Sequence, residues 1–183
     1  MSTPARPLII PRLLNAAVIT LLATPVLFVQ LTLATPPVTE RVSVDSAGYE
    51  GDRVSRSPSI SADGQLIAFA SEATNLVEGD SNGAQDIFLH DWLTGATMRL
   101  SLDAEGQEAN AASAWPEISS DGSWVTFSSA ASNLVEGDTN GVEDIFVVEI
   151  GTGSIERVSL SSSRVQANGA STQSVISGDG RYV

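Results

Sequence analysis

Apolar positions along this chain follow two different patterns. Residues 13–34 read LLNAAVITLLATPVLFVQLTLA without a charge, and no polar face recurs at helical spacing. After residue 40 the apolar positions come in short runs bounded by Asp-Gly, Asn-Gly and Thr-Gly. Runs of this kind between turn-forming dipeptides predict strands and hairpins. A first strand is expected at residues 58–61, ending in the Asp63-Gly64 turn, and a second at residues 66–71. A third is expected at 87–91 and, past Thr94-Gly95, a fourth at 97–102. Further strands follow at 124–129, 145–149 and 154–160. Alternation puts Ile67 and Phe69 on one face. These two with Ile87 and Phe88, and their counterparts Val125, Phe127, Ile145 and Phe146, form the expected core.

The strand pattern repeats. NLVEGDSNGAQDIF at residues 75–88 returns as NLVEGDTNGVEDIF at 133–146, with eleven of fourteen positions identical and an interval of 58. Arg41-Val42-Ser43, Arg99-Leu100-Ser101 and Arg157-Val158-Ser159 keep the same interval. So do the Ile-Ser-x-Asp-Gly runs that begin at Ile60, Ile118 and Ile176. Three independent markers on one period define an array. Four short antiparallel strands per 58-residue unit, with no helical periodicity between them, describe a β-propeller blade.

The run SADGQLIAFAS…DIFLHDWLTGATMRLS resembles the TolB-type, WD40-like β-propeller repeat. Matching positions are Asp63, Phe69, Asp86, Ile87 and Phe88 in one unit, and Asp121, Phe127, Asp144, Ile145 and Phe146 in the next. The likeness covers residues 41–183. It implies an all-β propeller fold and leaves function open, since such propellers serve many purposes. One departure is the stretch 72–82, which lengthens the unit beyond the usual blade of about 40 residues.

The expected organisation is a leader at residues 1–36 and a partial propeller at 37–183. The propeller part comprises a closing strand at 41–45, units at 46–103 and 104–161, and a truncated unit at 162–183. Arg41-Val42-Ser43 corresponds to the fourth strand of a unit, a placement that suggests closure of the ring by an N-terminal strand. Val183 aligns with Val125 and Ile67, in the middle of a second strand. Two units do not close a ring of about four to eight blades. The expectation is therefore an incomplete propeller, the front of a longer protein.

Arg6 and Arg12 before the uncharged stretch, and Thr32-Leu33-Ala34 at its end, read as an export signal cleaved after Ala34 or as an uncleaved N-terminal membrane anchor, in either case a hydrophobic helix. Both readings place the remainder outside the cytoplasm, whether periplasmic, secreted or at the cell surface. With 22 acidic residues against 9 Arg and no Lys, the net charge is −13. That balance argues against nucleic acid and against contact with an anionic membrane other than through the N-terminal segment. There is no Cys, so disulfides and thiolate metal sites are excluded.

Asp80, Asn82 and Asp86, with Asp138, Asn140 and Asp144, place oxygen side chains at positions one, three and seven of an acidic loop with Gly at four. Hard cations such as Ca²⁺ take six to eight oxygens from such loops. The backbone carbonyls of Ala84 and Val142 and the side chains of Glu78 and Glu136 are further candidate ligands. The pattern is not an EF-hand, whose Gly stands at six and whose loop leads into a helix. Equally, Asn-Gly favours a two-residue hairpin turn and Asp accepts backbone N–H bonds beside turns. The resemblance implies this second reading for Asp86 and Asp144, because relatives with shorter loops keep that Asp. Both readings, a calcium site and turn chemistry, stand at this point.

His90 is the single histidine and Val148 holds its place in the second unit, which rules out a repeated His site. No Gly-x-Ser-x-Gly, HExxH or phosphate-binding glycine loop occurs, so no catalytic residue is assigned. Trp124 is expected in the core, and Trp115, before Pro116, at a rim. Three functions fit. The first is a non-catalytic extracytoplasmic module that binds a protein, peptide or glycan. The second is the propeller of an exported, prolyl-oligopeptidase-like hydrolase whose catalytic domain lies beyond Val183. The third is a calcium-stabilised structural module of a surface protein.

Overall fold

A computed structural model describes residues 39–183, so the leader expected at 1–36 and its uncharged stretch lie outside the described residues. Residues Arg41–Val183 form one compact unit. Among the described residues there is no helix, and hence none able to cross a membrane. Eight strands form two antiparallel sheets. The first contains β1 (Ser55–Ile60), β2 (Leu66–Ser71), β3 (Asp86–Asp91) and β4 (Thr97–Arg99), in that order. The second repeats it with β5 (Ser113–Ile118), β6 (Trp124–Ser129), β7 (Asp144–Glu149) and β8 (Ile155–Arg157). These are two four-stranded blades of the propeller type.

Each blade is built around its second and third strands. Phe69 stands opposite Phe88 in the β2–β3 ladder and Phe127 opposite Phe146 in β6–β7, with ring centroids 5.8 and 5.9 Å apart. All eight residues expected in the core are buried. Strand alternation separates two packing faces. Phe69 and Phe88 cover Ala73 and Leu76 of their own β2–β3 loop, whereas Ala68, Ala70, Ile87 and Leu89 face the second blade. Because β2 is covered on both sides, its apolar run is continuous rather than alternating. Burying each Phe contributes about 1.5–3 kcal/mol.

The Ser-x-Asp-Gly turns recur as units. Ser61 Oγ donates to Asp63 Oδ1 at 2.6 Å, the same oxygen accepts Gln65 N–H, and Leu66 N–H donates to Ser61 Oγ. Ser119 with Asp121 and Ser177 with Asp179 repeat this geometry. These hydrogen bonds, the Ser hydroxyl foremost, hold all three carboxyls below the usual range. Neighbouring units are joined at the same turns, since Ala62 N–H donates to Ser120 O and Asp121 N–H to Gly178 O.

Several sequence boundaries shift. β1 begins at Ser55 rather than at 58, because Ser55 and Arg56 pair with Ser71 and Ala70 ahead of a register break at Ser57 and Pro58. β4 stops at Arg99, short of 102, because Ser101 Oγ rather than a backbone carbonyl accepts Ile87 N–H. Ser159 ends β8 in the same way through Ile145 N–H. Residues 162–183 keep the Asp-Gly turn but contain no strand, so the strands expected in the truncated unit are not formed. Trp124 is half-buried, lying against Gly180, rather than a core residue.

Candidate functional site, an arginine-centred clasp on the long loop

The strand order places tight turns at one end of each blade and long connections at the other. The phrase beginning at Asn75 fills the long β2–β3 loop, and Asn82-Gly83 lies inside it rather than at the centre of a two-residue hairpin. Asn82 Oδ1 accepts Ala84 N–H at 2.8 Å, a local turn in which a side chain replaces a backbone acceptor. Gly79 and Gly83 have φ of 78° and 65°, left-handed values that Gly adopts without steric cost. The first residue of the phrase ties the loop down: Asn75 Oδ1 accepts Asp52 N–H and its Nδ2 donates to Glu50 O. Asn133 repeats both contacts with Asn110 and Glu108.

Asp80, Asn82 and Asp86 do come together, and a guanidinium stands at their focus. Arg99 Nη1 lies 2.8 Å from Glu108 Oε2, 3.2 Å from Asp86 Oδ2 and 3.5 Å from Asp80 Oδ1. Its side chain is 7% exposed, and Nη2 donates to Gly79 O. Asp86 is fully buried. It accepts Ser101 Oγ at 2.5 Å on Oδ1 and Asn82 Nδ2 at 2.9 Å on Oδ2. Asn82 thus turns its amide nitrogen, not its oxygen, toward the carboxylate, and the same nitrogen reaches Ala109 O. Glu108 also accepts the backbone N–H and, through a very short bond, the hydroxyl of Ser81. Loop, fourth strand and the connection to the next blade are fastened at one point.

The second blade keeps the clasp with one exchange. Asp144, Asn140, Ser159 and Arg157 reproduce the contacts of Asp86, Asn82, Ser101 and Arg99. Gln166 replaces Glu108 and likewise accepts the backbone N–H, here of Thr139, but its Nε2 donates to Thr139 Oγ1 where Glu108 accepts the Ser81 hydroxyl. Without a carboxylate there, Arg157 Nη1 turns to Asp138 Oδ1 at 2.9 Å, against 3.5 Å for Arg99 and Asp80. Asp80 Oδ1 is buried without a hydrogen-bond donor.

The electrostatics follow from these contacts. Burial pushes the carboxyls of Asp80 and Asp138 above the usual range, opposed by Arg99 and Arg157. Glu108 goes the other way, lowered to about 2 by the hydroxyl and N–H of Ser81, with Arg99 adding to the effect. A guanidinium satisfies several carboxylates through directed N–H bonds, the charge-balancing task that a cation performs in an acidic loop. Among the described residues no group of three or more His, Asp or Glu side chains is disposed to hold a metal ion.

Sequence reasoning singled out the loop acids but gave no chemistry to their partners, Arg99, Ser101 and Glu108, nor to Arg157, Ser159 and Gln166. The signal was the Arg-x-Ser marker, which recurs with the same interval as the acids. His90 is buried in β3, with Nδ1 2.9 Å from Thr97 Oγ1. Because Thr97 donates its hydroxyl proton to Val44 O, it accepts from His90, which places the ring proton on Nδ1. Burial lowers the His90 pKa below its usual value.

The two sheets and their clasps define a class, tandem four-stranded propeller blades. No family model and no curated protein matches the chain. Among solved structures it is similar to TolB from Acinetobacter baumannii, with 21% identity and a TM-score of 0.45, over 73% of this chain and 26% of that one. It is also similar to a putative TolB from Agrobacterium tumefaciens, with 22% identity and a TM-score of 0.41, over 59% and 31%. A third likeness is an oligogalacturonate lyase in complex with manganese, at 18% identity and 0.34, over 61% and 24%. The chain spans about a quarter to a third of the length of these structures.

Proposed function

We propose that this chain is an extracytoplasmic propeller module that binds a protein, peptide or glycan partner. The observation that supports it is the engagement of its polar groups. The loop acids that suggest chemistry in the sequence are held by Arg99, Arg157, Ser101 and Ser159, and His90 is held by Thr97. What the blades offer outward is a set of loops fixed by internal ion pairs, a framework for recognition rather than for proton transfer. The charge-free N-terminal stretch supports location outside the cytoplasm.

The calcium reading differs in two requirements: Ca²⁺ at Asp80, Asn82 and Asp86 needs Arg99 to leave and Asn82 to turn its oxygen inward. The binding reading is tested in cells by placing a photo-cross-linking residue at the exposed Glu78 or Glu136 of the full chain, followed by fractionation. The expected result is a discrete adduct in the extracytoplasmic fraction. Cytoplasmic retention, or no adduct from either loop, overturns it.

A further inference from the structure

One position in each unit, within β1, within β5 and at Gln173, carries a feature that the clasp does not use. Ser57, Trp115 and Gln173 occupy equivalent positions and share left-handed φ values of 51°, 56° and 56°. Left-handed backbone costs an L-residue about 1–2 kcal/mol, and strain of this kind gathers at ligand-contacting positions. In β1 and β5 the antiparallel register breaks at these residues, and both strands lie at the edges of their sheets. The side chain at the break differs in every unit while the backbone does not.

In β5 the break lifts an indole outward. Trp115 is 47% exposed, and along the strand Trp115 and Glu117 are exposed while Pro116 and Ile118 are buried. Glu117 is fixed in place, since its Oε2 accepts Ser59 Oγ from β1 and that oxygen accepts Ile118 N–H. The cationic side chain on the neighbouring edge, Arg56, is engaged by Glu72 at 2.7 Å. An exposed indole two residues from an exposed, anchored carboxylate, on a chain of net charge −13, is complementary to a cation with a flat or compact head.

We infer that Trp115 and Glu117 form a docking site for an arginine- or lysine-bearing segment of a partner protein, the cation lying over the indole and paired with the carboxylate. The inference rests on the binding-module reading and names the partner's chemistry. Trp115 acts as the anchor, Glu117 sets the charge preference, and the left-handed backbone aims the ring away from the sheet.

The test is calorimetric titration of the full chain with the peptide Gly-Arg-Gly-Arg-Gly, its Lys and Glu counterparts, and a neutral oligosaccharide. The Arg and Lys peptides should bind and the Glu peptide should not. Trp115→Ala should weaken binding about two- to thirty-fold, the range expected for cation–π contacts. Trp115→Phe should retain part of the affinity, and Glu117→Gln should weaken binding without touching the ring. Trp115→Gly removes the ring and relieves the left-handed strain, so loss of binding in this variant with an unchanged melting curve assigns the loss to the ring. Binding unchanged in Trp115→Ala would show attraction by net charge alone and overturn the site. Binding of the neutral oligosaccharide in place of the cationic peptides would overturn it in favour of a glycan. If no peptide binds while Glu78 or Glu136 still cross-links a partner, this inference falls and the module reading stands.

Discussion

Glu108→Gln turns the first clasp into a copy of the second and tests the account of both. Glu108 accepts from Arg99 Nη1 at 2.8 Å and from the N–H and hydroxyl of Ser81. Gln still accepts the Ser81 N–H and can meet the hydroxyl with its amide as donor, as Gln166 does with Thr139. It weakens these bonds from charged to neutral and loses the ion pair. Hydrogen bonds to charged groups contribute about 1.5–3 kcal/mol and neutral ones about 0.5–1.5. Part of the loss is offset as Arg99 moves toward Asp80, whose Oδ1 has no hydrogen-bond donor, and as the cluster sheds one of three negative charges. Glu108 is also 23% exposed, which screens the pair. The net expectation is a loss of about 1 kcal/mol at pH 7. The pH dependence carries a definite sign. The folded-state pKa of Glu108 is lowered from 4.5 to about 2, so its contribution is complete above 4.5 and is lost as pH falls toward 2. Urea denaturation of wild type and variant at pH 7, 4 and 3 should therefore show curves that converge on acidification. A difference that is constant across this range, or a stabilised variant at pH 7, would refute the reasoning.

Arg99→Ala should cost about 3–5 kcal/mol by urea denaturation, because it strands the buried carboxylates of Asp86 and Asp80; a loss under about 1 kcal/mol would remove the clasp from the stability argument. Added Ca²⁺ should leave the calorimetric melting curve of the full chain unchanged, since Arg99 and Arg157 already stand where the loop carboxylates converge. A rise that disappears in Asp80→Ala with Asp138→Ala would restore the calcium site, because a ligand of the native state stabilises it by mass action. Arg164, at φ 59°, stands where the other units have Gly48 and Gly106. Arg164→Gly should therefore raise stability by about 0.5 kcal/mol, the relief of left-handed strain less the entropy of Gly in the unfolded chain. Gly180→Ala should cost more than Gly122→Ala by thermal melting, since its Cβ would meet the Trp124 ring at 2.2 Å and that of Gly122 a Leu66 methyl at 3.1 Å.

The sequence made the blade legible because period and pattern agree. Phe69, Phe88, Phe127 and Phe146 sit in runs bounded by turn dipeptides, and their burial depends only on strand alternation and on the repeat. The clasp was half legible. Asp80, Asn82 and Asp86 stand close in sequence, so their meeting could be foreseen, but Arg99 and Glu108 reach them through register, and register is a property of paired strands. The β3–β4 ladder sets Phe88 opposite Arg99, which carries Arg99 and Ser101 to the mouth of the loop. Nothing local to the Asp residues says so. The direction of the Asn82 amide was also beyond reach, since a carboxamide offers both a donor and an acceptor and only its neighbours decide.

Where the two copies differ, the differences occur in compensating sets. His90 pairs with Thr97 across β3–β4, and the same ladder position in the second blade holds Val148 and Ile155. A polar pair has become an apolar pair, with no buried group left over. Glu108 and Gln166 differ, and Arg99 and Arg157 choose different carboxylates in response. Leu66 and Trp124 differ, and each still meets the turn glycine of the following unit. Such compensation is what an array needs when every unit must stack on the next. Ser57, Trp115 and Gln173 follow another logic. Their strained backbone is kept in all three units, yet the side chains differ widely in size and chemistry. A position that holds costly geometry constant while freeing the side chain is suited to presenting chemistry outward. Under the binding reading proposed above, it is this position, rather than the clasp, that lets the units differ in what they present to a partner.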